Sequence, residues 1–475
     1  MKKRQERDIV TYLYTMLLIL LTTAVFGVVW YIFYNGNVYY IPFGGKGNYL
    51  VIAVYCVIYW YFAKLYGSFD LLISKRGELC YSNVIALLAA NLIMYAVIWL
   101  LQRRGMPNPL PLILGVVLSE IIDLMWALAA KTHVGKVIKP LRTLVIYDNV
   151  EAFKSGKKIV KSYKSLFEIV GYLNVDADIN DIGNTCDQIK NYDVDAVMLC
   201  GIRSSQRNML VKFCIKNSIV AYIRPNIGDL LMGESDTVML EHLPVMRCQE
   251  ASPPIGYAFI KRAFDIFVSL LGLAIASPFM LVTAIAIKLY DGGPVIFKQK
   301  RMTKNRKIFE VHKFRSMKVD ADKGGKGIVT MQNDDRITPV GKVIRACRLD
   351  ELPQLFDILA GNMSVVGPRP ERLETIELYE QETPEFALRL QVKAGLTGYA
   401  QVYGKANTSP YDKLQMDLMY VGEQSIITDL RIMLKTVKIL FMPESTEGFD
   451  FEIDAADDIA VPLEPIENET QTVKK

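Results

Sequence analysis

The sequence predicts a membrane protein with three parts. These are an N-terminal four-helix transmembrane bundle, a small middle α/β (Rossmann-like) domain, and a C-terminal α+β domain with a re-entrant membrane helix. The 475 residues are 51% hydrophobic yet 22% charged, which indicates a membrane part joined to a water-exposed part. Long uncharged stretches occupy the first third, and short apolar runs rich in β-branched residues follow them. Polar motifs dominate the second half.

The N-terminal region, residues 1–134, is predicted to form four transmembrane helices. Residues 10–34 carry no charge and exceed the roughly 20 residues that span a bilayer. The stretch is too long for a signal-peptide core and no cleavage site follows it, so we interpret it as a retained anchor. Three further spans are expected near 48–67, 80–102 and 110–130. Glu120 and Asp123 in the last span are costly in lipid and should face the bundle interior.

Basic residues beside these spans predict their orientation. Cytoplasmic flanks of membrane helices are enriched in lysine and arginine. Three groups favour both ends of the bundle in the cytoplasm, and one pair, in an outer loop, disagrees. The three groups are Lys2, Lys3 and Arg4; Lys75 and Arg76; and Lys131, Lys136, Lys139 and Arg142; the dissenting pair is Arg103 and Arg104.

The middle region, residues 135–250, is predicted to be a cytoplasmic α/β domain. PLRTLVIYD, VDAVMLCGI and NSIVAYIRP are short apolar runs typical of buried strands, and helix-like segments alternate with them. The first strand is followed by YDNVEAFKSG rather than GxGxxG, which argues against a dinucleotide site. We therefore expect a regulatory or structural role.

A fifth apolar stretch, residues 264–287, follows a linker and contains Ser277-Pro278 at its middle. Proline removes a helix hydrogen bond and bends the helix. Lys261 and Arg262 precede the stretch and Lys288 follows it, so a re-entrant hairpin near 262–288 with both ends cytoplasmic is one interpretation. A kinked ordinary span is the other, and the residues alone do not separate them. The tail, residues 444–475, is acidic and predicted to be disordered.

Composition excludes several classes of site. The seven cysteines form no CxxC, so neither a disulfide framework nor a zinc site is indicated. Only three histidines occur, and any metal site must rest on carboxylates, which favour magnesium or manganese. The net charge of +5 lacks the long basic run that marks nucleic-acid binding, so no nucleic-acid partner is expected.

Basic side chains recur among the short motifs after residue 290. Guanidinium groups match phosphate oxygens, so such a set could surround several phosphates. The alternative is a solvated basic surface near anionic lipid headgroups. The set comprises Arg301, Lys313, Arg315, Arg336, Lys342, Arg345, Arg348 and Arg369.

The stretch LDELPQ places Asp350 and Glu351 side by side before an amphipathic helix. Pro353 fits the first helical turn and Gly361 fits the C-terminal cap. Ordinary capping of the helix dipole is one explanation. The other is a division of labour, in which one carboxylate is a nucleophile and its neighbour holds a divalent cation. Pro368 and Pro370 would form a rigid turn that presents Arg369.

Residues 257–443 resemble the catalytic domain of the bacterial sugar transferases, the monotopic phosphoglycosyl transferases. The motifs KRAFD, Ser277-Pro278, GGPVIFKQKR, KFRSM, DDRIT, LDELPQ and GPRP carry the resemblance. The four spans and middle domain look like the larger undecaprenyl-phosphate hexose-1-phosphate transferases. Two departures are visible: MTKNRK lacks the glycine often found after the QxR motif, and Asp335 replaces a proline of a DPRIT-like motif.

The resemblance implies transfer of a sugar-1-phosphate from a UDP-sugar to undecaprenyl phosphate, with release of UMP, at the cytoplasmic face of a bacterial inner membrane. It implies that Asp350 is the nucleophile, that Glu351 binds Mg²⁺, and that Arg345 and Arg369 bind phosphate. The Ser277-Pro278 pair would turn the helix back in the lipid bilayer. Asp417 matches a further family acid of open role. Lys313, Arg315, Arg301 and Arg336 complete the expected substrate-binding set.

Two rival interpretations remain open from the sequence. One is direct glycosyl transfer, in which the acids only bind metal and UDP is released. The other is a non-enzymatic scaffold of a polysaccharide assembly. Glucose or galactose is the expected sugar, downstream glycosyltransferases are expected partners, and a homodimer is left open, as is the final product: exopolysaccharide, capsule or O-antigen.

Overall fold

The computed structural model describes residues 2–38, 45–102, 105–175, 182–233, 235–240, 242–250, 255–319, 321, 334–404 and 408–440. The chain divides into two compact units, with the break between Arg224 and Pro225. The predicted acidic tail and the pair Arg103 and Arg104 lie outside the described residues. Each unit is considered separately below.

Four long apolar helices begin the first unit. They are α1 (Lys2–Val29), α2 (Lys46–Tyr66), α3 (Arg76–Leu101) and α4 (Leu110–Val137). A π-helical turn at Trp30–Tyr34 continues α1, and a 3₁₀ turn at Asn35–Asn37 follows. By length and composition these helices could each cross a membrane, as could a fifth helix in the second unit. Asp123 is fully buried, and Glu120, one turn earlier, is half-buried.

A parallel four-stranded sheet completes the first unit. Its strands are β1 (Leu141–Tyr147), β2 (Phe167–Asn174), β3 (Ala196–Cys200) and β4 (Val220–Ile223), in the order β2-β1-β3-β4. Helices α5 (Val150–Ser162), α6 (Ile182–Asn191) and α7 (Ser204–Lys216) connect them. The three runs predicted as strands are β1, β3 and β4. The missed strand, β2, lies at the sheet edge with mostly half-buried residues, so its sequence lacks a continuous apolar run.

The second unit combines small sheets with short helices. It begins with α8 (Ile227–Gly233) and an antiparallel hairpin of β5 (Asp236–Leu240) and β6 (Leu243–Arg247). Helix α9 (Ile255–Asp291) leads to a second antiparallel hairpin, β7 (Ile296–Met302) and β8 (Ile308–Phe314). The remaining α-helices and strands are α10 (Pro339–Ala346), α11 (Gln354–Leu359), β9 (Ser364–Val366), α12 (Leu373–Glu382), β10 (Gly395–Thr397), α13 (Tyr399–Tyr403), α14 (Pro410–Gly422) and α15 (Ile426–Leu440). Strands β9 and β10 pair in parallel.

The core of the second unit lies where β8, α11 and β9 meet α14 and α15. Phe309 and Val311 of β8 pack with Ile358 of α11, and Tyr420 and Ile432 close the cluster. This packing fixes the ends of β8 and β9 and the start of α11, which carry the polar residues described below.

Helix α9 continues through Ser277-Pro278. Proline cannot donate to the carbonyl four residues earlier, that of Ala274, and the Ser277 hydroxyl donates to this oxygen at 3.0 Å instead. One side of α9 packs on its own unit both before and after the proline. Gly272 lies against Leu355, and Ile287 packs with Phe314 and Ile344. Large apolar side chains cover the exposed side: Phe267, Leu270, Leu271, Ile275, Phe279, Leu281, Val282 and Ile285.

Candidate active site

The two adjacent carboxylates lie in a tight turn before α11, as the sequence predicted. Arg348 has a left-handed φ of 52°, and a 3₁₀ turn follows at Leu349–Glu351. Helix α11 begins after Pro353, and Gly361 takes a positive φ of 85° just beyond its end. A non-glycine residue in the left-handed region is costly, and such strain is concentrated at functional sites.

Glu351 is held by two cations. Its Oε1 accepts hydrogen bonds from Lys313 Nζ at 2.9 Å and from Arg369 Nη2 at 2.7 Å. Burial alone would raise the pKa of Glu351, but Arg369 and Lys313 outweigh it and hold the pKa well below the usual range. Glu351 is therefore ionised and fixed in position.

Asp350 has the opposite environment. Its carboxylate forms no hydrogen bond or ion pair with any residue that the structure describes, and it lines the cavity described next. Burial, and then the charge of Glu351, raise the pKa of Asp350, while Lys313, Arg345 and Arg369 work against that rise. Adjacent acids thus differ in availability: Glu351 is engaged and Asp350 has free oxygen lone pairs.

A cavity of about 410 Å³ lies over the two acids. Its only acidic lining residues, within the described chain, are Asp350 and Glu351. Eight cationic side chains line it: Arg301, Lys313, Arg315, Lys318, Arg345, Arg348, Arg369 and Arg372. Such an excess of cations around a concave site suits a ligand with several negative charges.

Arg345 and Arg301 are partly buried in the cavity wall. Arg345 Nε donates to Ser316 Oγ at 2.8 Å, and Arg301 Nη1 donates to the Pro370 carbonyl at 3.0 Å. Burial lowers the pKa of both groups, that of Arg301 to about 10. Both remain cationic near neutral pH, and burial makes a phosphate partner more favourable for them.

Two predicted ligands have their guanidinium groups committed to aspartates. Arg315 lines the cavity, but it forms a bidentate pair with Asp291, with Nη1 2.7 Å from Oδ2. Arg336 does not line the cavity and pairs with Asp334, two residues earlier, at 2.6 Å. Hydrogen bonding to Arg336 lowers the pKa of Asp334 to about 2. These contacts brace the loops, and direct substrate binding by either arginine stays a prediction.

Asp417 lies outside the cavity lining but is linked to it. Its Oδ2 is 2.8 Å from Arg389 Nη2, and the same nitrogen donates to the Arg369 carbonyl at 2.8 Å. Burial raises the pKa of Asp417 to about 6, although Arg389 lowers it. Arg389 was not predicted, because one arginine in FALRLQ carries no signal that it will be buried.

The GPRP turn is fixed at both of its prolines. The Pro368 carbonyl accepts from Gly395 N at 2.9 Å, and the Pro370 carbonyl accepts from Arg301. Arg372, three residues beyond Arg369, also lines the cavity and was missed.

A magnesium ion is compatible with this set of donors. The described residues contain no group of three or more His, Cys, Asp or Glu side chains that could hold a metal. Mg²⁺ commonly needs only one or two carboxylates, the rest of its shell coming from water and substrate phosphates. Glu351 Oε2 makes no hydrogen bond to a described residue, so this oxygen could supply the protein ligand.

Comparison with known proteins agrees with the motifs. The family model described as bacterial sugar transferase matches residues 256–443. An exopolysaccharide production protein, PSS, from Rhizobium leguminosarum bv. phaseoli is 43% identical over 202 residues, which are 40% of this chain and 98% of that protein.

Two larger relatives match over a similar number of residues. The UDP-N-acetylgalactosamine-undecaprenyl-phosphate N-acetylgalactosaminephosphotransferase of Aeromonas hydrophila is 36% identical over 230 residues, 48% of this chain. The UDP-glucose:undecaprenyl-phosphate glucose-1-phosphate transferase of Escherichia coli K12 is 43% identical over 186 residues, 38% of this chain. The matches span 53% and 39% of these relatives. With nearly the whole of the Rhizobium protein covered and the site motifs in place, the chain belongs to the bacterial sugar transferase family.

Proposed function

We propose that the protein transfers a hexose-1-phosphate from a UDP-sugar to undecaprenyl phosphate and releases UMP. One observation carries the proposal: of two adjacent acids in a cationic cavity, one is held by Lys313 and Arg369 and the other is free. A covalent two-step transfer needs this division, because a nucleophile must have an unblocked lone pair.

In the proposed first step, an oxygen of the Asp350 carboxylate attacks the phosphorus that bears the sugar. A new P–O bond forms, the bond to the bridging oxygen breaks, and UMP leaves with that electron pair. The product is an acyl-phosphate between Asp350 and the sugar phosphate. Asp350 must be ionised to attack, so its cationic neighbours, which oppose the rise in its pKa, favour the reactive form.

In the second step, a phosphate oxygen of undecaprenyl phosphate attacks the same phosphorus. The P–O bond to Asp350 breaks and the carboxylate is restored, giving undecaprenyl-diphosphate-sugar. No proton needs to be moved in either step, since both nucleophiles are anions. The residues therefore act mainly by positioning and by offsetting charge.

Arg369 and Lys313 fix Glu351 and leave their remaining donors facing the cavity, where Arg345 and Arg301 add further positive charge. When bound, Mg²⁺ would offset phosphate charge during transfer. Glu351 would hold the ion. Without a bound anion, repulsion among these cations lowers the stability of the protein. A polyanionic substrate offsets that repulsion.

We further propose that α9 is a re-entrant membrane helix and that the four N-terminal helices span the membrane. Residues on both sides of Pro278 pack on the same unit, which disfavours a helix whose ends lie on opposite faces of a bilayer. The exposed apolar side of α9 would enter the lipid. The site would then lie at the cytoplasmic face of a bacterial inner membrane, where the acceptor phosphate is.

The sugar, the partners and the role of the parallel sheet are separate proposals. The named relatives act on N-acetylgalactosamine and glucose derivatives, so the donor panel must include both. Glucose or galactose stays the expected sugar. Downstream glycosyltransferases would extend the product, and a homodimer and a regulatory sheet domain are retained as hypotheses.

Nucleotide release from a panel of UDP-sugars tests this function. Purified full-length protein would be supplied with Mg²⁺ and undecaprenyl phosphate. UMP release with one or two donors is expected. Release of UDP would instead establish direct glycosyl transfer, and no release with any donor would contradict the proposed reaction and favour the scaffold role.

A further inference from the structure

A second basic cavity lies away from the two acids, at the other end of α11. It has a volume of about 130 Å³ and is lined by Lys261, Arg262, Lys304 and Lys393, among others. None of these four residues lines the larger cavity. Arg262 donates to the carbonyls of Ile358 and Leu359, at 2.6 and 2.8 Å, so the cluster begins where α11 ends.

The carboxylates near this cavity already have bonding partners. Lys261 lies 2.8 Å from Asp429 and 4.0 Å from Asp265. Asp265 also accepts from Ser364 Oγ and from Val365 N, and Asp429 accepts from Tyr420. Lys261 is therefore paired with the local carboxylates, whereas Arg262, Lys304 and Lys393 form no ion pair with a described residue.

Lys304 and Lys393 have no hydrogen-bond or ion-pair partner for their ammonium groups among the described residues. Both are half-buried rather than free in solvent. Burial, and then the charge of Arg262, lower the pKa of Lys393; Asp265 acts against this fall, and Lys304 and Lys307 add to it. Like charges that converge without a counter-ion destabilise the protein, and a bound anion removes that cost.

Hydrogen bonds of Thr303 join the two segments that carry Lys304 and Lys393. The Thr303 hydroxyl accepts from Ala394 N at 3.0 Å and donates to the Asn362 carbonyl at 3.1 Å. These bonds attach the turn that carries Lys304 to the segment that carries Lys393. Asn305 and Arg306, next in the turn, both take left-handed φ angles near 56°, an arrangement costly for residues other than glycine.

Exposed apolar side chains lie next to the cavity-lining residues in the sequence of α9. Phe259 and Ile260, beside Lys261 on α9, are 76% and 54% exposed. They begin the exposed apolar side that would enter the lipid. Basic pockets beside membrane helices at the cytoplasmic surface are suited to the phosphate of anionic lipid headgroups.

We propose that Lys304, Lys393 and Arg262 form a binding site for the phosphate of an anionic membrane lipid, separate from the transfer site. The bound headgroup would sit between the hairpin turn and the start of α9, and would hold the catalytic unit at a defined depth. The inference rests on the proposed membrane placement of α9 and not on the transfer reaction.

Lipid counting by native mass spectrometry tests this site. Full-length protein in a neutral detergent would be titrated with dioleoylphosphatidylglycerol, and separately with dioleoylphosphatidylcholine. We expect one saturable phosphatidylglycerol site, weakened about tenfold or more in Lys304→Gln/Lys393→Gln. The matched control, Lys298→Gln/Lys300→Gln, removes two exposed lysines of β7 and should bind as wild type.

Inorganic phosphate, as a competitor, separates the two sources of a phosphate group. If inorganic phosphate competes only at a far higher concentration than that of the lipid, the result supports a lipid site. If phosphate binds at these lysines and phosphatidylglycerol does not, the lipid assignment is overturned. Equal phosphatidylglycerol affinity in wild type and the double glutamine variant would overturn the site itself.

Two further variants guard against misfolding. Lys304→Arg/Lys393→Arg keeps both charges and should retain lipid affinity within about threefold. Lys304→Gln alone changes one residue of a turn, so this variant should fold. It should lose part of the lipid affinity that the double variant loses. UMP release in detergent should be unchanged in all of these variants, so failure of the lipid site and failure of the transfer reaction are distinguished.

Discussion

The parallel sheet of the first unit and the active-site domain of the second bury different kinds of side chain. Every residue of β3, Ala196–Cys200, is apolar and buried. In the second unit Asp265, Arg389, Asp417 and Asp429 are each at most 3% exposed. A buried charge is costly unless it is paired, so the second unit needs matched charges in addition to its apolar core.

This difference indicates which unit can carry the catalytic chemistry. The sheet buries apolar side chains, whereas the second unit uses pairs such as Arg389 and Asp417 beside a cavity lined by eight cations and two acids. Charge changes should therefore act on transfer in the second unit, and volume changes should act on stability in the first.

The largest effect is expected for Asp350→Asn. The amide is nearly the same size but cannot form the acyl-phosphate, so UMP release should fall by at least about 10³-fold. Asp357→Asn, six residues after Glu351, alters a carboxylate bonded to His312 and should keep far more activity. UMP release within tenfold of wild type in Asp350→Asn would reject the nucleophile.

Glu351→Gln should have the next largest effect. The neutral amide cannot balance Lys313 and Arg369 or hold a cation, so kcat should fall by about 10²- to 10³-fold. The concentration of Mg²⁺ that gives half-maximal rate should rise in the same assay. An unchanged Mg²⁺ dependence would mean that Glu351 only fixes its two cations.

Asp417→Asn should cost less, about 10- to 100-fold in kcat/KM, because it acts on Arg369 through Arg389. Steady-state rates over a range of donor concentrations measure the loss. Asp412→Asn, a change at a half-buried residue in the first turn of the same helix, is the matched control. Equal rates in the two variants would show that the buried pair has no part in positioning Arg369.

Leu199→Ala in β3 should affect activity least. It removes a fully buried side chain and should lower the free energy of unfolding by about 2 to 5 kcal/mol, seen as a lower midpoint in thermal unfolding. UMP release per folded molecule should match wild type. Ile223, on the edge strand β4, is 41% exposed. Ile223→Ala is therefore the control, and it should lower the free energy of unfolding by less. A large fall in activity without unfolding would give the sheet a regulatory role.

The same contrast explains what could be predicted from the sequence. Strands β1, β3 and β4 each contain at least four consecutive apolar residues, and the acids before α11 are marked by Pro353 and Gly361, because local patterns specify both. Edge strand β2 has no such run. The pairing of Arg389 with Asp417, 28 positions apart, depends on tertiary packing that no local pattern encodes.

The same limit applies to the predicted arginines. Motif position alone suggested that Arg315 and Arg336 contact substrate, yet each guanidinium faces an aspartate. The separate roles of Asp350 and Glu351 were implied by the family resemblance rather than by spacing. Their different surroundings became visible only when Lys313 and Arg369 were placed beside one of them.

The intact mass of the protein, after incubation with a UDP-sugar and Mg²⁺ but no acceptor lipid, tests the central claim most directly. Wild type should gain the mass of one hexose phosphate, peptide mapping should assign it to Asp350, and undecaprenyl phosphate should remove it. Asp350→Asn should gain nothing. UMP release by wild type with no adduct trapped at Asp350, or an adduct that persists in Asp350→Asn, would contradict the aspartyl intermediate.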